Sequence, residues 1–345
     1  MNSSRELIKK VIEFDGADRI GYCFNRGFPN DFAFYGIERL PDYDYGWHEA
    51  RFYADEYPEL ANFEGFARKD EFGNIWGKML NDPSRQGEVL YGVLSEWQDL
   101  DGYVFPNLSD ANRMAHIEQK IREMPDQSDK FRVGTLPGFP FAIMRYMRKM
   151  EYFLADLLTE REQVSRLDAI VTGELLKIID NFADAGMDSV IFYEDWGTQD
   201  RLLISPALWR EVFKPSYGKL CARAHSRGMY VIMHSCGYIY EILEDLIEIG
   251  VNVFQFDQPS LMGVERVADM FNKRATLFGP VNIQTTLPTG DKKLIESDAR
   301  ELTEKFFKGR GGGFIAKDYG DYPTIQVKEE WAACMREAFI KHGKG

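Results

Sequence analysis

The second half of the chain alternates short apolar runs with longer stretches in which apolar residues recur every three or four positions. MDSVIFYEDWG (187–197) is rich in β-branched and aromatic residues and is followed by SPALWREVFKPSYGKLCARAHSRG (205–228). That second stretch opens on Ser205 and Pro206, a helix-starting pair, and closes on Gly228, a helix-stopping residue. The rhythm continues with MYVIMHSCG (229–237) as strand and YIYEILEDLIEIG (238–250) as helix. VNVFQFDQP (251–259) and GVERVADMFNKR (263–274) repeat it, as do ATLFGPVN (275–282) and DKKLIESDARELTEKFFKGR (291–310). GGGFIAKDYG (311–320) reads as a further strand, and VKEEWAACMREAFIKHG (327–343) as a closing helix.

Strands buried on both faces read as unbroken apolar runs, and serial βα units build parallel sheets. Upstream, FRVGTLPGFP (131–140) precedes a long helical stretch, and DRIGYCFN (18–25) reads as the first strand. With seven strands assigned and the eighth open, we expect an α/β fold in which residues 1–345 form one (β/α)8 barrel of the TIM type. A doubly wound open sheet is the alternative, weakened because no phosphate-binding glycine pattern follows a strand. Residues 40–125 break the rhythm. Rich in Trp, Tyr, Asp and Gly, they are expected to elaborate one barrel face with loops, short strands and helices.

Composition narrows the partners. A formal charge of −13 lacks the basic face that nucleic-acid phosphates require. No window approaches 18 uninterrupted apolar residues and MNSSRELIKKVIEF has no export-signal pattern, so a cytoplasmic protein with no membrane partner is expected. Four scattered cysteines suit free thiols or a metal site better than a disulfide framework. The 25 Phe, 17 Tyr and 6 Trp are enough to fill a core and to wall an apolar pocket.

Barrel chemistry gathers where strands run into the loops that follow. Those positions hold Glu194 and Asp195, then His234 and Cys236, then Gln255, Asp257 and Gln258, then Asn282 and Gln284. The last strand end brings Lys317, Asp318, Tyr319 and Asp321. Adjacent residues on a strand point to opposite faces, so at most one of Glu194 and Asp195 looks into the mouth. The bland reading of either acid is a helix cap or a surface ion pair. His234 and Cys236 end their strand beside Gly237, where a tight turn can aim both at one point, and an imidazole with a thiolate suits Zn2+. His48, His116, His225 and His342 read as surface or helix residues, with His225 in a last helical turn where a cation is favoured.

These segments resemble a known family. VIFYEDWGTQDRLLISPALWREVFKPSYGKL, HSCG, GPVNIQ and GGGFIAKD are similar to the uroporphyrinogen decarboxylase superfamily, as are TLPGFPFAIMRYM, EFGNIWG and LDGYVFPN. The resemblance implies a distorted barrel with a deep cleft at the strand C-termini. True decarboxylases carry two arginines in a short strand-end run, whereas CFNRGFPND offers Arg26 alone. One guanidinium cannot hold several carboxylates bidentately. The chain is closer to the branch of zinc methyltransferases that act with corrinoid proteins. That branch adds a distant third Cys, where this chain has Lys317, Asp318 and Tyr319.

The resemblance therefore implies Zn2+ on His234, Cys236 and a carboxylate, with Asp318 or Glu194 as the candidates. It implies transfer of a methyl group between a small methylated, for example methoxylated, donor and a corrinoid on a partner protein. Glu194, Tyr146 and Asp257 are the expected catalytic residues; Arg26, Gln255, Asn282 and Tyr319 the expected substrate contacts. A homodimer is in keeping with the family. A metal-free lyase built on Tyr146, Glu194 and Asp257 is the competing class, and a non-catalytic tetrapyrrole-binding barrel or partner subunit the next.

Overall fold

A computed structural model describes residues 3–81, 87–123 and 128–345. Eight parallel strands form a nearly closed barrel. In chain order they are β1 (Gly21–Cys23), β2 (Phe32–Gly36), β7 (Phe131–Thr135), β8 (Ser189–Tyr193), β9 (Tyr230–His234), β10 (Val253–Gln255), β11 (Thr276–Gly279) and β12 (Phe314–Lys317). Around the barrel they run β1-β12-β11-β10-β9-β8-β7-β2. The TIM-type architecture read from the βα rhythm is thus present, and the strands fall within the seven runs that predicted them.

The eighth strand is β2, which the rhythm did not reveal. It follows β1 without a helix between them. Residues 24–31 double back along β1, through the Cys23–Asn30 bridge and the bond from Asp31 N–H to the Tyr22 carbonyl at 2.7 Å. Asp31 pins this return, because its buried carboxylate accepts from Arg19, from Ser4 Oγ and from the Tyr22 amide at 2.6–2.8 Å. A buried carboxylate with that many donors needs no other partner.

Register fixes which residues face the barrel axis. Tyr193 pairs with His234, His234 with Gln255 and Gln255 with Phe278. Phe278 pairs with Ile315, and Lys317, two residues on, pairs with Cys23. Residues two apart on a strand share a face, so these side chains point inward together. Below them Phe32 stacks on Phe278 at 5.4 Å and meets Phe131 edge-on at 5.7 Å, closing the barrel floor with aromatic rings.

The elaboration between β2 and β7 contains a second, antiparallel sheet in the order β3 (His48–Glu49), β4 (Gly65–Lys69), β5 (Ile75–Met79), β6 (Glu88–Tyr91). It has its own small core of Ala50, Leu60, Ala67 and Ile75, packed by Tyr53, Tyr57, Phe63 and Tyr91. Among the described residues no helix is long and apolar enough to cross a membrane.

Candidate metal centre and active site

Two loops build the centre, one leaving β8 and one leaving β9. They cross in close contact at Gly197 and Gly237. A Cβ on Gly237 would sit 2.3 Å from the Gly197 carbonyl oxygen, and Gly237 has φ +78°, so both space and backbone demand glycine here. The Tyr238 amide donates to the Thr198 carbonyl at 2.7 Å, and the Trp196 amide to Ser235 Oγ at 3.2 Å. Trp196 itself is fully buried, stacked 3.9 Å from Phe141 and flanked by Trp209 and Phe213. Burying a side chain of this size stabilises by about 2–3 kcal/mol, which anchors the β8 loop beneath the mouth.

The parity of β8 then separates its two acids. Glu194 points outward, where Oε1 accepts from the Ala142 amide at 2.8 Å, in the first turn of the Pro140–Arg148 helix. That helix has no side-chain cap of its own, since Phe139 occupies the capping position. Glu194 is fully buried, and desolvation pushes its carboxyl up to about 8 against the opposing pull of the Ala142 amide and Arg145. The helix-cap reading of an acid in this stretch therefore describes Glu194, although the helix is the one at 140 and not the one at 205.

Asp195 turns to the mouth. Its carboxylate lies 3.6 Å from His234 Nε2 and accepts the Cys236 amide at 2.7 Å. Cys236 Sγ is 3.4 Å from the same imidazole nitrogen. One donor atom from each of the three residues falls within a 4.8 Å span, and no other such group occurs among the described residues. Burial pulls the His234 imidazole below its ordinary value, toward the neutral form that ligates metals. Burial and the neighbouring Asp195 and Asp257 push the Cys236 thiol up.

Asp318, expected as the oxygen ligand, is placed elsewhere. Its oxygens accept from Arg336 Nε at 2.7 Å, the Tyr322 hydroxyl at 2.8 Å and the Asn25 amide at 2.8 Å. With Asp318 and Arg336 both buried, this is a saturated structural pair. The carboxylate that joins His234 and Cys236 is Asp195, which the expected ligand set omitted.

Next to this group is a cavity of about 640 Å3 whose walls include Trp76, Arg145, Tyr146, Tyr193, Asp195 and His234. Trp76 comes from the antiparallel sheet and packs 4.7 Å from Tyr146, so that sheet contributes to the cavity wall. Tyr146 sits where its hydroxyl accepts from Arg145 at 3.1 Å. Asp257 is buried and bound to Lys317 Nζ at 2.7 Å. Both lie close enough to act electrostatically on His234 and Cys236. Gln255 stands beside His234 in register with its Oε1 unpartnered, and the half-buried Tyr319 feels the charges of Asp257, Cys236 and Asp195.

The other expected contacts are not assembled with these. Arg26 is exposed, in a surface ion pair with Glu329 at 2.7 Å. Asn282 Oδ1 caps the Gln284 and Thr285 amides, and its Nδ2 donates to Ser260 Oγ. Nor are the three members of a metal-free acid–base set brought together, because Glu194 faces the helix and Asp257 is tied to Lys317. Arg145, Trp76 and Tyr193 are cavity residues that the strand-end reading passed over. Arg145 and Trp76 lie outside barrel strand ends, and Tyr193 is the last strand residue before the acids.

Residues 83–327 match the uroporphyrinogen decarboxylase (URO-D) family. The chain belongs to that family. Among solved structures, a methyltransferase from Methanosarcina mazei superposes with a TM-score of 0.67 over 99% of both chains at 15% identity. That likeness covers the whole fold, the elaboration included. The native xylanase 10B from Thermotoga maritima covers 98% of each chain at 12% identity but only a TM-score of 0.42. A D-psicose 3-epimerase covers 67% of this chain and 85% of its own at 9% identity, also with a TM-score of 0.42. No curated protein sequence matches the chain.

Proposed function

We propose that this URO-D family member is a zinc-dependent methyltransferase that moves a methyl group between a small methylated substrate and a corrinoid carried by a partner protein. The observation that carries the reading is the convergence of Asp195, His234 and Cys236 beside the cavity. In a tetrahedral zinc site, bonds of about 2.1 Å to nitrogen and 2.3 Å to sulfur set those two donors about 3.6 Å apart. The observed 3.4 Å between His234 Nε2 and Cys236 Sγ is close to that spacing, and Asp195 lies 3.6 Å from the same nitrogen. Three protein ligands leave a coordination position open, the arrangement of catalytic zinc. The whole-chain likeness to a methyltransferase adds support at the level of the fold.

Zinc held here would serve as a Lewis acid toward the heteroatom that bears the methyl group, easing its departure with the bonding pair. The protein's own residues do the remaining work. Trp76, Tyr146 and Tyr193 wall the cavity and exclude water from the reacting centre. The Tyr146 hydroxyl presents a hydrogen-bonding group inside it, oriented by Arg145. The Lys317–Asp257 pair keeps fixed charges close to the His234 imidazole without adding net charge. A reduced corrinoid on the partner protein would accept the methyl group, the departing heteroatom keeping the bonding pair.

The test is metal content together with methyl transfer. Purified protein should hold about one zinc per chain, and His234→Ala and Cys236→Ser should lose it while retaining the native circular dichroism. Wild type should methylate reduced cobalamin from at least one donor in a panel of methoxylated aromatics, methanol and methylamines, followed by its colour change. A protein that carries no zinc, and whose activity zinc does not restore, would end the reading.

A further inference from the structure

Two arginines stand one helical turn apart on the Pro140–Arg148 helix and live in opposite circumstances. Arg148 is buried and fully engaged, donating to Asp156 at 2.9 Å and to the Leu94 and Ser95 carbonyls at 2.6 and 2.7 Å. Arg145 faces the cavity, and among the described residues no carboxylate pairs with it. One of its terminal nitrogens donates to the Tyr146 hydroxyl, and the other reaches only Met150 Sδ at 3.7 Å. Its Nε is buried without any acceptor. The guanidinium lies over the faces of Phe141 and Tyr146, 5.1 and 4.9 Å from their centroids, which fixes its plane.

No carboxylate around it forms an ion pair with it. Glu151 pairs with Lys149 at 2.7 Å and Asp195 faces His234 and Cys236. Glu194 gives Oε1 to the Ala142 amide and keeps Oε2 unpartnered, near enough to feel the charge of Arg145 without bonding to it. Glu88, also on the cavity wall, is exposed and makes no ion pair with Arg145. A guanidinium held flat, partly desolvated and short of acceptors is costly unless an anion completes it. Its planar fork matches a carboxylate in two parallel hydrogen bonds.

We infer that Arg145 is the receptor for a carboxylate on the methyl donor, so that the substrate is an aromatic methoxy acid and not a neutral alcohol or a cationic amine. The inference rests on the methyltransferase reading of the same cavity. Trp76, Tyr146 and Tyr193 supply π faces for the ring, and Asp195 and His234 of the donor group line the same cavity. A cavity of about 640 Å3 holds a substituted benzoate with room for its approach. A carboxylate seated on Arg145 leaves the other end of the ring, with its methoxy oxygen, to face the metal ligands.

Calorimetric titration of 4-methoxybenzoate against its neutral isostere, 4-methoxybenzamide, decides the matter without a variant. The acid should bind wild type at least tenfold more tightly, as loss of a charge-assisted pair requires. Arg145→Gln should cancel the acid's advantage over the amide, and Arg145→Lys should retain part of it. Equal binding of acid and amide, no binding of the acid, or an acid preference that survives Arg145→Gln would each overturn the inference. Zinc and methyl transfer measured on the same samples keep the two readings apart. An Arg145-dependent acid preference without zinc leaves the carboxylate site standing and removes the methyltransferase. Methyl transfer that ignores the carboxylate does the reverse.

Discussion

Each side of the barrel mouth carries an aspartate at a strand end, and the two aspartates are put to different use. At the ends of β12 and β1, Asp318 has three donors and Arg336 two carboxylates, and both side chains are almost fully covered. At the ends of β8 and β9, Asp195 has one amide donor and a side chain 48% exposed, while His234 keeps Nδ1 without a partner. The aspartate alone does not separate the two sides. Saturation does: a polar group whose partners are all supplied by the fold holds the barrel together, and one left incomplete is available to a ligand.

The sharpest way to break that contrast is to cut the saturated side. Arg336→Ala would strand the Asp318 carboxylate in a dry environment, and unfolding in urea should report a loss of about 3–5 kcal/mol. Zinc per folded chain should stay as in wild type; a fall in zinc with stability intact would show that this side belongs to the site after all. On the incomplete side the expectation inverts. Asp195→Asn keeps the shape but weakens the oxygen ligand, so zinc affinity should drop at least tenfold, read by competition with a chelator. Stability of the zinc-free protein should move by less than about 0.5 kcal/mol.

Asp168 sharpens the comparison from within the helical layer. It lies on the Arg161–Asp184 helix, its Oδ1 is buried without a partner, and desolvation pushes its carboxyl up to about 6. In the unfolded chain it ionises near the ordinary value of 3.8. Between those values the native state holds a proton that the unfolded state has lost, so stability falls as pH rises through the window. Asp168→Asn should therefore match wild type at pH 4 and exceed it at pH 7 by about 1–2 kcal/mol once solvent screening is allowed for. Identical pH profiles would show that the carboxyl is solvated after all. Smallest of all, Arg26→Ala removes one exposed ion pair, and both stability and zinc content should stay within error, about 0.5 kcal/mol for the former.

Much of the barrel was legible because parallel strands buried on both faces announce themselves as apolar runs between helical periods. DFAFYG hid its strand for a physical reason. It follows β1 after a tight return pinned by Asp31, so no helix separates the two, and a βα rhythm cannot flag it. The pairing of His234 with Cys236 was legible too, since they end a strand beside a glycine. The carboxylate that joins them was not. Choosing among Glu194, Asp195 and Asp318 depends on where β8 ends and on what Arg336 brings from a helix at the far end of the chain, and neither is a local property. Arg145 was invisible for the same reason: an arginine in a helix declares its purpose only once the groups around it are seen to leave it without an ion pair.

The crossing of Gly197 and Gly237 has a corollary for how this site can be altered. With the two backbones pressed against each other, neither loop can lengthen, shorten or acquire a side chain at that crossing without dragging its neighbour. The half of the pocket formed by the β8 and β9 loops is therefore rigid to redesign. The part of the wall that Trp76 supplies is carried on a separate hairpin sheet with an oily centre of its own, and a chemist wishing to change what enters would begin there.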